Sequence, residues 1–369
     1  MAKYRRDMSA SERIAYRRRK RLIRKIQVYS EIGAIVLSVV IVSALIISHL
    51  NGDKDKKVVA SAKDNQQVKT EGLKVSSSKE PEEETIAEEE LVATAAPASE
   101  YSAKETANTA TISGDVVSEY GILINNKSKT IVAGKNATER IVPASMTKVL
   151  TVLVAANNIT EEQLNEKVVM SHEAVDYSYG GGGSTSGFIE GETVSVKDLF
   201  YGTILPSGGD AATQLAMYVA GGVDSFVKMM NEEVEALGLT GSHFTNPVGF
   251  HSDNHYSTPY DISIIMMAAL DNPICREVLS SRIYTIPQDE FRDEDLIISN
   301  WFIRRIEDKD FGGTILAAKT GYVDESGSCA VSAMTSASGT EYICCTAKSS
   351  SSWRCINDHV DIYKTYATQ

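Results

Sequence analysis

Residues 32–50, I-G-A-I-V-L-S-V-V-I-V-S-A-L-I-I-S-H-L, form a run of nineteen without an Asp, Glu, Lys or Arg. A helix needs about 20 apolar residues to cross the hydrocarbon core of a bilayer, so this run divides the chain before any fold is considered. Its three serines can bond back to their own helix, and His49 falls at the interface. A cleaved leader has an apolar stretch of about 7–15 residues ending in a small-x-small site, whereas S-H-L-N-G-D-K ends this one. The expectation is a transmembrane helix over 32–50. Residues 1–31 hold eleven Lys and Arg against Asp7, Glu12 and Glu31, a local net of +8; the whole chain is −12, which leaves −20 for the rest. Basic residues beside a span stay on the cytoplasmic side. Residues 1–31 are therefore expected as a basic cytoplasmic tail and everything after 50 as extracytoplasmic, in a single-pass protein of the cell membrane. A basic arm on an acidic body also argues against nucleic-acid binding, which requires a basic face on the folded part.

Residues 51–111 read as a disordered acidic linker. They include E-P-E-E-E-T-I-A-E-E-E and A-T-A-A-P-A-S, with Tyr101 as the one aromatic. Such a stretch buries too little apolar surface to offset its ordering entropy. Residues 112–369 carry the pattern of one compact domain. The chain's five cysteines all fall there, and show neither dense disulfide spacing nor a C-x-x-C pair. Cys344 and Cys345 would point to opposite faces of a strand. Small buried apolar residues are the expected role for all five, with no disulfide framework.

The domain opens with V-V-S-E-Y-G-I-L-I-N-N-K-S-K-T-I-V-A, two β-rich runs around a turn. An apolar helix is expected from Ser145 to about Ala156. Thr160 and Gln163 of T-E-E-Q then suggest a capping box. V-S-V-K-D-L-F-Y-G-T-I-L, D-A-A-T-Q-L-A-M-Y-V-A and D-S-F-V-K-M-M-N-E-E-V-E-A-L read as helices, the last with Asp224 as its cap and Gly238 at its end. T-I-L-A-A-K-T-G-Y-V and C-A-V-S-A-M-T-S-A-S-G-T-E-Y-I-C-C-T-A read as adjacent strands turning at Ser338-Gly339. The final segment puts Trp353, Ile356, Val360 and Tyr363 on one helical face. Strands at both ends with helices between them predict an α+β fold whose terminal segments share one antiparallel sheet.

Ser-x-x-Lys occurs three times, at Ser76/Lys79, Ser145/Lys148 and Ser225/Lys228. The first lies in the linker and the third on a polar helix. Only Ser145/Lys148 stands at the mouth of an apolar helix, where positions i and i+3 share a face. The helix N-terminus there offers free N–H groups to a developing oxyanion. Burial and a second cation would leave the lysine neutral, as a base must be. Lys319-Thr320-Gly321 lies on an expected strand: the cation and hydroxyl suit a carboxylate, and the glycine lets a substrate backbone approach. Ser207, in L-P-S-G-G-D-A-A, precedes a helix and by itself reads equally well as a turn.

The order S-x-x-K, S-G-G, K-T-G resembles the penicillin-recognising serine enzymes. The closer resemblance is to serine-type D-alanyl-D-alanine carboxypeptidases, the low-molecular-mass penicillin-binding proteins. It is carried also by R-I-V-P-A-S-M-T-K-V-L-T, G-E-T-V-S-V-K-D-L-F-Y-G-T-I-L-P-S-G-G-D-A-A, M-N-E-E-V-E-A-L-G-L-T-G-S-H-F-T-N-P-V-G-F and H-Y-S-T-P-Y-D-I-S, and it spans residues 112–369. The resemblance implies a β-lactamase/transpeptidase-like fold with a mainly helical insert. It implies Ser145 as nucleophile, Lys148 as general base and Ser207 as proton relay, with Lys319, Thr320 and Gly321 at the substrate's terminal carboxylate. The backbone N–H groups of Ser145 and Tyr322 would form the oxyanion hole. The expected partners are a peptidoglycan stem peptide ending in D-Ala-D-Ala, β-lactams as inhibitors, and the membrane; no cofactor or metal is expected. The family's middle motif is normally Ser-x-Asn, and here the substrate-binding third position is Gly209, a lost amide worth about 1–3 kcal/mol if nothing replaces it.

Three look-alikes are set aside. Glu161–Asn165 imitates a deacylating Glu-x-x-x-Asn but precedes S-G-G. The glycine tract at 180–187 lacks the G-K-[ST] of a phosphate loop and reads as a loop near the cleft. His251 and His255 lie in loop sequence, where i, i+4 spacing makes no zinc pair. A catalytically impaired wall-binding homologue, and after it a β-lactamase, stay open as other readings.

Overall fold

The computed structural model describes residues 100–367. The expected cytoplasmic tail, membrane span and most of the linker lie outside the described residues. The domain begins earlier than its expected start at 112. Ala103 is buried and its N–H donates to Tyr260 Oη, and Lys104 bridges to Thr130. These few apolar and backbone contacts suffice to seat residues 103–111 on the domain, where composition suggested a linker.

Strand β1 (Ala110–Thr111) is followed by the hairpin of β2 (Tyr120–Asn125) and β3 (Thr130–Lys135) around the N-N-K-S turn. Helix α1 (Thr147–Asn157) is preceded by a 3-10 turn, Ala144–Met146. From Thr147 to Ala156 every residue of α1 is buried, as befits a mainly apolar helix at the centre of the core. T-E-E-Q leads into a single 3-10 turn, Glu162–Asn165, with half a capping box: Gln163 Oε1 accepts from Thr160 N, but no side chain caps the turn.

The short pair β4 (Lys167–Val169) and β5 (Thr193–Ser195) flanks α2 (His172–Gly180). Helix α3 (Val196–Ile204) starts at a full capping box between Ser195 and Asp198. Next come α4 (Gly209–Ala220) and α5 (Val223–Ala236). Gly222, not Asp224, occupies the N-cap of α5, and Gly238 follows its end at φ +72°. Helices α6 (Pro259–Asp271) and α7 (Pro273–Ser280) begin with capping Thr258 and Asn272, each followed by proline at the first helical position. A small hairpin, β6 (Ile283–Ile286) and β7 (Leu296–Ser299), leads to the one-turn α8 (Ile303–Ile306). The chain closes with β8 (Gly313–Val323), β9 (Gly327–Ser336), β10 (Glu341–Ser349) and helix α9 (Ser352–Tyr366).

The main sheet has the order β1-β3-β2-β10-β9-β8, antiparallel except for the β1–β3 pair. Its central joint, β10 against β2, runs from Tyr342↔Asn125 to Ala347↔Tyr120 and unites the two ends of the domain. This is the α+β architecture expected, with the helical insert between. Period-two alternation divides the core. Ile122, Ile124, Val331, Ala333 and Cys345 face the helical mass around α1; Leu123, Ala330, Met334 and Cys344 face α8 and α9. All five cysteines are buried free thiols. Burial in α9 falls on Cys355, Ile356, Asp358, His359, Ile362 and Tyr363. Trp353, expected on that face, is instead 54% exposed and packs edge-on against Trp301.

Candidate active site

Ser145 sits mid-turn between Pro143 and the start of α1. Ala144 beside it is held at φ +46°, and Ser207, between α3 and α4, at φ +62°. A non-glycine residue in this left-handed region costs about 1–3 kcal/mol and persists where surrounding structure imposes it. Here the surroundings are the two serines of one cleft.

Lys148, one turn into the helix, places Nζ 3.0 Å from Ser145 Oγ and donates to the Val248 carbonyl at 2.6 Å. Lys319 on β8 donates to Ser207 Oγ and to the Thr320 carbonyl, both at 2.8 Å. Each lysine is 2% exposed. Burial, aided by the charge of Lys319 and opposed by Asp210, pushes the Lys148 amine well below the ordinary lysine range. Burial likewise brings Lys319 down to about 7, with Cys329 opposing. Among the described residues neither lysine forms an ion pair, Asp210 acting on Lys148 only through its charge, and buried amines without such a partner favour the neutral form.

The cleft has a volume of about 350 Å³, and Ser145, Lys148, Ser207, Gly209, Thr320, Gly321 and Tyr322 line it. Of the residues singled out in the sequence, Lys319 alone is not in the lining, but its amine reaches Ser207, which is. Gly321 is required where it stands. A Cβ there would lie 2.7 Å from Cys329 Sγ and 3.0 Å from both Ala144 Cβ and Pro143 O. The bare backbone lets β8 pass directly beside the turn carrying Ser145.

Gly209 opens α4 with its N–H donating to Ser184 O at 2.8 Å. A Cβ at Gly209 would meet Ser178 Oγ at 2.9 Å. The glycine tract at 181–184 lines the cleft beside it, and Phe250 covers the tract, since a Cβ on Gly181 would lie 2.4 Å from that ring. Asp210, next in sequence, is buried. It accepts from Ser186 N at 2.7 Å, Ser186 Oγ at 2.8 Å and Ala211 N at 2.9 Å, tying the tract to α4. Burial pushes its carboxyl up against the pull of those bonds. His255 is no metal ligand in this setting: its ring meets Thr147 Oγ1 at 2.9 Å and accepts from Thr245 N at 3.1 Å.

Sequence reasoning found Ser145, Lys148, Ser207 and the β8 motif but missed the Val248 carbonyl, Asp210 and Ser178. The stretch N-P-V-G-F carried a signal in its proline and glycine, which mark a tight turn, but nothing local told which helix the turn would meet.

A family profile described as D-alanyl-D-alanine carboxypeptidase, Peptidase_S11, matches residues 103–346. The D-alanyl-D-alanine carboxypeptidase DacF of Bacillus subtilis (strain 168) is 30% identical over 210 residues, 56% of this chain and 51% of that protein. The D-alanyl-D-alanine carboxypeptidase of Streptomyces sp. (strain K15) is 34% identical over 173 residues, 45% of this chain and 58% of that protein. The chain thus spans about half the length of the curated relatives it matches. In three dimensions it resembles the crystal structure of the Streptomyces K15 DD-transpeptidase, with TM-score 0.62 and 27% identity over 69% of this chain and 98% of that one. A D-alanyl-D-alanine carboxypeptidase structure from Mycobacterium tuberculosis, 24% identical over 70% of this chain and 94% of that one at TM-score 0.60, shares the fold. With its profile match running from the first packed residues into the last strand, the chain belongs to the D-alanyl-D-alanine carboxypeptidase family Peptidase_S11.

Proposed function

We propose that this protein is a serine-type D-Ala-D-Ala carboxypeptidase. It removes the terminal D-Ala of peptidoglycan stem peptides through an acyl-enzyme, and β-lactams acylate it by the same route. The observation that carries this reading is the 3.0 Å pairing of Ser145 with a buried lysine that favours the neutral amine.

Lys148 takes the proton from Ser145 Oγ as that oxygen bonds to the carbonyl carbon of the penultimate D-Ala. The carbonyl oxygen becomes an anion facing the backbone N–H groups of Ser145 and Tyr322. The proton then travels through Ser207 to the amide nitrogen of the terminal D-Ala. The C–N bond breaks, D-Ala leaves, and an ester remains on Ser145. Water, giving its proton to the Lys148 amine, attacks the ester carbon; Oγ departs and takes that proton back from Lys148. Lys319 and Thr320 hold the terminal carboxylate, Lys319 while bonded to Ser207 Oγ. Gly321 leaves room for the peptide along β8. Gly209 offers no side chain to the substrate; the backbone of the glycine tract forms that wall instead.

A fluorescent penicillin should label the full chain, Ser145→Ala should abolish the label, and D-Ala should be released from a pentapeptide. Undiminished labelling of Ser145→Ala would sink the nucleophile assignment. Labelling without release would favour the impaired homologue.

The anchored topology is part of the same proposal: residues 32–50 in the cell membrane, residues 1–31 in the cytoplasm and the catalytic domain outside. Its support is the uncharged nineteen-residue run behind a basic arm and a substrate that lies outside the cell. Among the described residues no helix is long and apolar enough to cross a membrane.

A further inference from the structure

We propose that Asn246 is a positioning residue for the Ser145–Lys148 pair: its carboxamide holds the Val248 carbonyl on the Lys148 amine and the Gly249 backbone against the turn that carries Ser145. The inference rests on the reading of Lys148 as base and extends it to a residue far away in the chain.

Asn246 is 6% exposed. Its Oδ1 accepts from three successive backbone N–H groups, Val248 at 3.2 Å, Gly249 at 2.7 Å and Phe250 at 3.0 Å. Its Nδ2 donates to Phe250 O at 2.9 Å. The turn at 246–250 is part of neither a helix nor a strand, so this one side chain supplies the bonds that regular structure supplies elsewhere.

The turn docks on the start of α1 at successive residues. Pro247 O accepts from Thr151 Oγ1 at 2.7 Å, and Val248 O accepts from Lys148 Nζ at 2.6 Å. Gly249, at φ +88°, lies so close to the nucleophile's backbone that a Cβ would stand 1.9 Å from Ala144 O and 2.9 Å from Ser145 N. Behind it, Thr245 N donates to His255 Nδ1, which leaves Nε2–H to donate to Thr147 Oγ1. Burial keeps that imidazole neutral, its pKa brought down to about 3.

The chemistry explains why a carbonyl matters at this point. A neutral amine acting as base has one lone pair and must aim it at the serine hydroxyl. Donating an N–H to the Val248 carbonyl fixes rotation about the last bond of the lysine, as a third group orients the base in other nucleophile–base pairs. Val248 can do this only while Asn246 holds its peptide in place.

The test measures acylation of the full chain by a fluorescent penicillin as a function of drug concentration and pH, with thermal melting as the control for folding. In Asn246→Ala the saturating acylation rate should fall on the order of 100-fold, as expected when a reacting group is displaced by about an ångström, with the noncovalent affinity for the drug unchanged. In Asn246→Asp, which keeps the acceptor for the three backbone N–H groups but loses the donor to Phe250 O, that rate should fall clearly less than in Asn246→Ala. The acid limb of the Asn246→Asp pH profile should move to higher pH, because a carboxylate bonded to the peptide that holds the Lys148 amine favours the ammonium. Lys319 and Asp210, which act on Lys148 from the cleft side, are untouched in both variants. His255 does face the substituted group, its Nδ1 lying 3.3 Å from Asn246 Nδ2, and burial holds it neutral, with His243 and His251 acting on it only through their charge. A saturating rate in Asn246→Ala within about twofold of wild type, or an unmoved limb in Asn246→Asp, overturns the inference. If Asn246→Ala does not fold, the limb of Asn246→Asp decides. An unlabelled wild type would overturn the proposed function, an outcome distinct from either.

Discussion

Holding Lys148 and Lys319 away from water is costly, and the cost has a pH signature. Lys319 binds its proton more weakly in the folded chain, at about 7, than at its ordinary value of 10.5 when unfolded. Between those values the unfolded chain holds more protons, so stability attributable to Lys319 rises with pH across that window and is flat below it. Lys319→Met should therefore gain less stability than wild type when urea unfolding is compared at neutral and mildly alkaline pH; parallel gains would contradict the burial argument. At this scale the sequence was informative wherever the relevant distance is covalent. Ser145 and Lys148 lie three positions apart on one helical path, and Lys319 and Thr320 are adjacent, so composition and spacing sufficed to find them. The Val248 carbonyl and the Asp210 carboxylate were illegible, because their partners lie 100 and 24 residues away and backbone groups look alike in every sequence.

Elements meet at the cleft through backbone more than through side chains, and Gly209 is the clearest case. Taken from sequence, it is a missing amide; in the structure its N–H is committed to Ser184 O and Ser178 fills the space a side chain would need. The glycine tract after α2 and the first turn of α4 are packed as a pair. Gly209→Asn should accordingly fail to raise turnover. It should also destabilise the domain by about 1–3 kcal/mol, the usual cost of overpacking, read from denaturant midpoints alongside D-Ala release. A faster enzyme of unchanged stability would show the amide to be absent rather than replaced. Elements also show where periodicity misleads. Trp353 falls on the apolar face of α9 by spacing, yet burial begins only at Cys355, and the residues before it stay outside the contact with the sheet. T-E-E-Q has the letters of a capping box, but the chain turns away after four residues and no α-helix follows.

Across the whole molecule, the sheet does what no local segment can. By pairing β2 with β10 it brings residues 120–125 against 342–347, and so sets β8 beside the turn before α1. The outlying N-terminal region is tested at the same scale. The full chain should sediment with membranes, and a version beginning at residue 51 should stay in the supernatant and keep its penicillin label; a full chain found in the supernatant would remove the anchor from the proposal. What the sequence determined alone was the order of the motifs, the alternation that makes the strands, the apolar helix behind Ser145 and the charge asymmetry of the two ends. Each depends on spacing along the chain, which physics reads within a few residues. Tertiary structure alone decided that residues 103–111 belong to the domain, that a glycine tract packs against Gly209, and that the turn at Asn246 meets the start of α1. Those depend on which surfaces close against each other once the core forms, and packing density leaves them a single arrangement.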